Sequence, residues 1–187
     1  MPIKESSDEL NPAVAVPRAG IVPIKTSWSP SDYVALSIAT CGVGYLPLIP
    51  GTFGSMLGVG IFLLFTRVTT GSSLVAVVVV AILAITFAGI WAASRTEELS
   101  GRKDPGKVVV DEVAGQLIAL SPLTLFTHWS TPAVIVSFIL FRFFDIVKPY
   151  PAGRFEALRG GYGIMCDDLV AGAYGAVITA IILAVVL

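Results

Sequence analysis

A polytopic bundle of α-helices in a membrane is the fold class that this sequence predicts, with about four to five spanning helices. Three observations lead there. The 187 residues are 55% hydrophobic and 13% charged, against roughly 25% charged in an average soluble domain, and mean hydropathy is +0.86. Residues 33–66, 68–94, 113–141 and 169–187 contain no Asp, Glu, Lys or Arg, and a helical span needs about 20 apolar residues. The remaining charges gather in the segments between those stretches. This composition excludes a disordered chain and an ordinary soluble enzyme. A net charge of −1 offers no basic field to gather nucleic acid. Cys41 and Cys166 lack CxxC spacing and neither begins a Cys-x5-Arg loop, which excludes a disulfide framework, a thiolate zinc site and a cysteine phosphatase.

Residues 1–31 carry Pro2, Pro12, Pro17, Pro23 and Pro30 among scattered charges. A secretory signal needs an apolar run directly after a basic start, and this segment has none, so it reads as a flexible tail before a single helical domain over 32–187. The first helix is expected over 55–66, after a re-entrant lead-in. Ser73–Ala93 is too long for a buried strand and must be a membrane helix. Pro122 and the polar Thr127–Pro132 break the third stretch into a hairpin, 112–126 and 133–147. The last helix is expected over 167–187. Lys4, Arg18 and Lys25, then Arg95, Arg102, Lys103 and Lys107, then Lys148, Arg154 and Arg159 occupy alternate connections, whereas the turns 67–72 and 127–132 hold only Arg67. By the positive-inside rule the basic segments face the cytoplasm, and five helices would leave the C-terminus outside.

The polar residues fall into four clusters, all at the cytoplasmic face in this topology. In Leu46–Ser55, two prolines and two glycines lead into a helix. Thr52 and Ser55 could cap it, and its first free amides could receive an anion. In Asp104–Glu112, Asp111 and Glu112 open a helix, where the dipole alone would favour them. Gly115 and Ala119 below Asp111 have the small-xxx-small spacing that draws a partner helix close. In Phe141–Pro149, Arg142, Asp145 and Lys148 recur every three residues on a similar face; an anchor with an internal ion pair would use the same residues. In Gly160–Asp168, three glycines precede two aspartates, where a helix cap needs one.

Asp111, Glu112, Asp145, Asp167 and Asp168, with Asp104 nearby, would repel one another strongly at a membrane boundary unless a cation sat among them. A hard divalent ion with oxygen ligands, magnesium above all, resolves that. Lys148, Arg142, Arg159 and the Thr52 loop offer what a phosphate needs. The only histidine, His128, falls in a turn at the opposite face, which removes a histidine nucleophile, and no Asp-x-Asp phosphoenzyme motif is present. Metal-assisted phosphoryl transfer to water, on a phosphate held at the bilayer surface, remains.

Pro50–Ser55, Asp104–Pro105, Val109–Glu112 with Gly115, Phe141–Pro151 and Gly160–Gly172 together resemble the phosphatidylglycerophosphatase A family of bacterial lipid phosphatases, in order and from about residue 40 to the end. The resemblance implies an all-helical inner-membrane enzyme, its site facing the cytoplasm, that hydrolyses phosphatidylglycerophosphate to phosphatidylglycerol and inorganic phosphate with Mg2+. It implies Asp111, Glu112, Asp145, Asp167 and Asp168 as the metal and water-activating set and Thr52, Ser55, Arg142 and Lys148 as the phosphate-binding set. Asp104 is the candidate for ordering the water. Besides the lipid, no nucleic-acid partner and no obligate protein partner is expected. The rivals are a cation-coupled transporter, a head-group phosphotransferase and a structural membrane subunit. A transporter would place its carboxylates near mid-helix rather than at helix ends beside basic residues, and the phosphotransferase would need a longer aspartate-rich run.

Overall fold

The structure, a computed structural model, describes residues 28–126, 129–155 and 158–186. Residues 1–27 of the expected tail and His128 lie outside the described residues. The described chain is helical throughout: α1 (Pro30–Thr40), α2 (Pro50–Val68), α3 (Gly71–Ser100), α4 (Val110–Leu120), α5 (Thr131–Val147), α6 (Ala152–Phe155) and α7 (Gly161–Val186), with 3-10 turns at Val43–Tyr45 and Ser121–Leu125. Among these, α2, α3 and α7 are long and apolar enough to cross a membrane. Val80, Phe87, Ile139 and Ile181 are exposed on the outside of the bundle, a surface that lipid rather than water accommodates.

The shortest of the main helices stands at the centre. Nine of the eleven residues of α4 are buried, and α2, α3, α5 and α7 all pack on it. A helix wrapped by protein on every side need not present about 20 lipid-facing residues, which is why α4 ends after 11. Pro122 cannot continue the α-helical hydrogen-bond ladder, so the chain tightens into the 3-10 turn Ser121–Leu125 before α5 returns.

The tightest crossing is between α4 and α7. A Cβ on Gly172 would collide with the Gly115 carbonyl oxygen, and one on Gly115 would lie 2.6 Å from the Asp168 carbonyl oxygen and 2.5 Å from the Phe141 ring. Gly175 sits similarly on Ala119. The spacing of Gly115 and Ala119 thus found its partner in α7, and backbone-to-backbone approach of this kind is how helices associate where no hydrophobic effect drives them together.

Beyond the start of α2 at Pro50 rather than 55 and the end of α4 at Leu120 rather than 126, three boundaries depart from expectation. The α1 helix precedes the expected first helix: the Ser29 amide donates to Asp32 Oδ2 at 2.8 Å in the manner of a capping box. Asp32, fully buried, accepts from Arg95 Nε, also at 2.8 Å. From there α1 descends beside α3, for Ile38 and Cys41 lie level with Ile85 and Ala88. Ten residues of α3 separate Arg95 from Ile85, about 15 Å of helix. Second, α3 continues beyond Ala93 to Ser100, closed by Gly101 in the left-handed conformation at φ 62°. Third, α7 begins at Gly161, so the glycine cluster forms its first turn and Asp167 and Asp168 project from the second. They are not caps.

Gly172→Ala should therefore cost about 1–3 kcal/mol of stability, the range for overpacking a closed contact. Gly60→Ala, where an added Cβ meets nothing within 4 Å, should be nearly neutral. Thermal melts of the two variants in detergent, compared with the wild type, check the contrast.

Candidate active site

Five segments converge on the N-terminal end of α4. Its first turn supplies Asp111 and Glu112, whose charges the positive end of the helix favours. The second turn of α7 brings Asp167 and Asp168, the last turns of α5 bring Arg142, Asp145 and Lys148, and the start of α2 brings Gly51, Thr52 and Ser55. Asp104 comes from the connection between α3 and α4, at φ 46°, close enough for its charge to act on Asp111 and Asp167. Every residue nominated from the sequence thus falls at this one end of the bundle.

The carboxylates are buried and crowded. Asp111, Asp167 and Asp168 are 8%, 5% and 3% exposed. One oxygen from each of Asp111, Glu112 and Asp168 lies within 4.8 Å of the others, and the Asp145 carboxyl comes within hydrogen-bonding range of Asp168. Asp111 Oδ1, Glu112 Oε2, Asp167 Oδ1 and Asp168 Oδ2 are buried without a hydrogen-bond partner among the described residues. At 4 Å and an effective dielectric of 20, a like-charge pair repels by about 4 kcal/mol. The five carboxylates face two cations, Arg142 and Lys148. Buried, orphaned oxygens with a charge deficit are the donor set that a hard divalent cation takes, and Asp111, Glu112 and Asp168 are the residues placed to hold one.

Arg142 ties the anionic side to α2. Its guanidinium pairs with Asp145 one turn along α5 and donates to Ser55 Oγ at 3.3 Å. The internal ion pair expected of an anchor is present, but the second bond crosses to another helix. Gly51 is required at this junction, because a Cβ there would collide with Glu112 Oε1 and lie 3.2 Å from Arg142 Nη1. Neither Thr52 nor Ser55 caps α2: Ile49 holds the cap position, Pro50 the first turn, and the Ser55 hydroxyl donates back to the Gly51 carbonyl at 3.0 Å. Thr52 is half-buried in the first turn. Lys148 donates to Asp167 Oδ2 at 2.7 Å, so this cation sits against a carboxylate nominated for metal.

The sequence reading passed over Gln116. It lies one turn below Glu112, is fully buried against Gly58, and neither end of its amide has a partner among the described residues. A lone amide in an otherwise apolar stretch was the available signal. Cys41 lies at the other edge of the site. Burial, and then the Glu112 charge, push its thiol above the usual range, which keeps it protonated and unsuited to nucleophilic attack.

Comparison with known proteins gives the same family throughout most of the chain. The family described as Phosphatidylglycerophosphatase A matches residues 37–183. A Bacteroides thetaiotaomicron protein bearing the provisional name phosphatidylinositol-3-phosphatase is 39% identical over 75% of this chain and 87% of its own. A Haemophilus influenzae protein named phosphatidylglycerophosphatase A is 36% identical, over 73% and 80% respectively. An Escherichia coli protein of the same name is 35% identical, over 72% and 74%. No solved structure gives a significant match.

Breaking the Arg142–Asp145 pair by removing Arg142 leaves the Asp145 charge uncompensated among the other carboxylates, whereas removing both takes that charge away as well. Arg142→Ala should accordingly lower the melting temperature in detergent more than the double variant Arg142→Ala/Asp145→Ala does. Equal losses would mean that Asp145 is not held against the other carboxylates.

Proposed function

This chain belongs to the phosphatidylglycerophosphatase A family, and from that premise we propose that it is a magnesium-dependent phosphatase hydrolysing phosphatidylglycerophosphate to phosphatidylglycerol and inorganic phosphate. The observation that carries the proposal is the cluster of buried, partnerless carboxylate oxygens beside Arg142. Such a cluster fits a phosphate monoester bound through a divalent cation and a guanidinium, and nothing in it resembles a mid-membrane ion path. Relatives named for this activity, at 35% and 36% identity, support the substrate.

In this reading Asp111, Glu112 and Asp168 hold the ion, with Asp145 and Asp167 behind them. Magnesium, when bound, offsets the carboxylate charge, polarises the phosphate and lowers the pKa of the attacking water. Arg142, kept in place by Asp145 and Ser55, orients the phosphate, and the α2 start with Thr52 lines its other side. Lys148 holds Asp167 and adds positive charge at the rim. Asp104 orders the water, whose oxygen attacks phosphorus as the bond to the lipid oxygen breaks. A site carboxylate takes the water's proton, and the departing glycerol oxygen gains one from solvent.

The site lies at the cytoplasmic face of the bacterial inner membrane in this proposal. Arg95, Arg102, Lys103, Lys107, Lys148, Arg154 and Arg159 all fall in helix ends and connections at the site's end of the bundle, while among the described residues Arg67 stands alone at the other, the asymmetry that the positive-inside rule reads. A second reading follows from the 39% identical relative: a phosphatidylinositol 3-phosphate would present the same monoester to the same residues.

Phosphate release from both lipids, by purified protein with magnesium or with excess chelator, tests the proposal. Phosphatidylglycerophosphate should be the better substrate and chelator should abolish turnover. Asp168→Asn should lower kcat on the order of a hundredfold or more, the scale of losing one preorganised electrostatic partner, while remaining folded. Magnesium should raise the melting temperature of the wild type and not of Asp168→Asn. Full activity in chelator would overturn the metal, and faster hydrolysis of the inositol lipid would overturn the substrate.

A further inference from the structure

The connection between α3 and α4 carries Asp104 and leads directly into Asp111 and Glu112, so its placement sets the distances among the carboxylates. Its sequence, Gly101-Arg102-Lys103-Asp104-Pro105-Gly106-Lys107, is charged and rich in turn formers. A turn of its own, closed by the Val108 amide on the Pro105 carbonyl at 2.8 Å, does not tie it to the bundle. The tie comes from α1 and the 3-10 turn Val43–Tyr45, a segment that contributes none of the nominated site residues. The Val109 amide donates to the Ala39 carbonyl at 2.8 Å, joining an orphan donor at the start of α4 to an orphan acceptor at the end of α1. Gly44, buried, lies against the backbone of Lys107: a Cβ there would collide with the Lys107 carbonyl oxygen and lie 2.9 Å from its carbon.

We propose that α1 and this turn form a positioning element for the carboxylate site, in which Ala39 and Gly44 set the α3–α4 connection, and with it Asp104 and the first turn of α4, against α5 and α7. Asp32 and Arg95 are the positioning residues that hold α1 in place to do so. The inference rests on the phosphatase reading and extends it to what keeps the metal-holding carboxylates in register.

Both clasps act on backbone atoms, the Val109 amide and the Lys107 carbonyl, which cannot swing aside as a long side chain would. They fall between Asp104 and Asp111, so a shift of α1 is passed to the chain that joins the two. Ala39 also packs with Val108 and Val110 in one core cluster. The α1 helix does not hold this position unaided, for its 11 residues fall short of the roughly 12–15 at which an isolated helix becomes even marginal. It is pinned to α3 instead. Asp32, fully buried, accepts from Arg95 Nε at 2.8 Å and from the Ser29 amide, and a buried carboxylate stays with its cation because separation leaves it uncompensated. From Asp32 to Ala39 is about 10 Å of helix, so the pin at one end of α1 fixes the carbonyl offered at the other. The segment also reaches the edge of the site, where the Glu112 charge acts on Cys41 just past the end of α1.

Melting of the purified protein in detergent, followed over a titration of magnesium, reads the arrangement of the carboxylates without any turnover. Gly44→Ala pushes the connection away from α1 and should raise the magnesium concentration that gives half of the stabilisation about tenfold or more, the scale of disturbing what orients metal ligands. Val78→Ala, at a buried position in the half of α3 far from the site, should lower the melting temperature and leave that concentration unchanged. A Gly44→Ala protein that melts lower but keeps the wild-type magnesium midpoint overturns the proposal. If Gly44→Ala fails to fold, Asp32→Asn provides the second measurement, since it keeps the shape of the side chain and removes the charge opposite Arg95. It should likewise raise the midpoint, and it should speed deuterium exchange at the Val109 amide about tenfold relative to the amides of α5, as local opening does. An unchanged midpoint, whether or not exchange speeds up, overturns the positioning. A wild type that neither gains stability from magnesium nor releases phosphate would overturn the phosphatase reading instead, and exchange at Val109 would still decide whether α1 holds the connection.

Discussion

Among the described residues, five carboxylates with Asp104 close by share a recess with Arg142 and Lys148 at the N-terminal end of α4, and the rest of the molecule is arranged around that imbalance. Each like-charge pair at contact, while ionised, opposes folding by about 4 kcal/mol at an effective dielectric of 20, so such a cluster calls for an offset. Part of the offset is local. The positive end of α4 faces Asp111 and Glu112, Lys148 holds Asp167, and Arg142 holds Asp145. What remains is three carboxylates without an ion pair among the described residues, Asp111, Glu112 and Asp168, with one oxygen of each within 4.8 Å of the others. The local pairs neutralise the two carboxylates that flank the trio and leave the trio itself open to a ligand.

Close helix contact makes this crowding possible. Gly115 on α4 and Gly172 on α7 bring the two backbones together just below Asp111 and Asp168, and Gly51 does the same for α2 against Glu112 and Arg142. Side chains at those three positions would hold the helices apart and spread the carboxylates beyond the reach of a single ion. The glycines and the aspartates therefore act as one device, in which apolar packing in the membrane region sets the distances between charges at its edge. The central placement of α4 follows, since only a helix enclosed by the others can offer one carboxylate to α7 and the next to α2 and α5.

Much of this was legible in the sequence because membrane helices write their boundaries in charge. The uncharged stretches gave the bundle, Pro122 and the polar turn after it gave the α4–α5 hairpin, and the small-xxx-small pair Gly115 and Ala119 pointed Asp111 inward to a partner that proved to be α7. What failed did so for local reasons. Helix α1 is 11 residues long, too short for any spanning test, and its signature was the Ser29–Asp32 capping pair at the edge of a proline-rich segment. Asp167 and Asp168 looked like the start of a helix because hydropathy sees α7 only from there. The preceding Gly161, Tyr162 and Gly163 are poor helix formers that tertiary contact recruits, with the Gly161 amide donating to Ser94 Oγ on α3 at 2.7 Å. Lys148 pairing with Asp167 depends on the connection through α6 and could not be read from spacing. Nor could the apolar gap that α2 and α3 leave between them, for a cavity is a property of what neighbouring helices fail to fill.

An enzyme for a lipid monoester works in two solvents at once: the phosphate needs counter-charge and water, while the tails must not leave hydrocarbon. Polar and apolar surroundings are divided around a single turn of α4. Asp111 and Glu112 face α7, α5 and the start of α2, where the polar groups collect. Val110 and Val113 face the gap between α2 and α3, where the lining is apolar. With 3.6 residues per turn, four consecutive positions divide the helix circumference between the two surroundings, so Val110-Asp111-Glu112-Val113 presents two carboxylates to one side and two valines to the other. A strand would alternate the two chemistries and could not hold adjacent carboxylates on one side. An enclosed helix at this point thus keeps both carboxylates on the site's side while its other side stays in apolar packing.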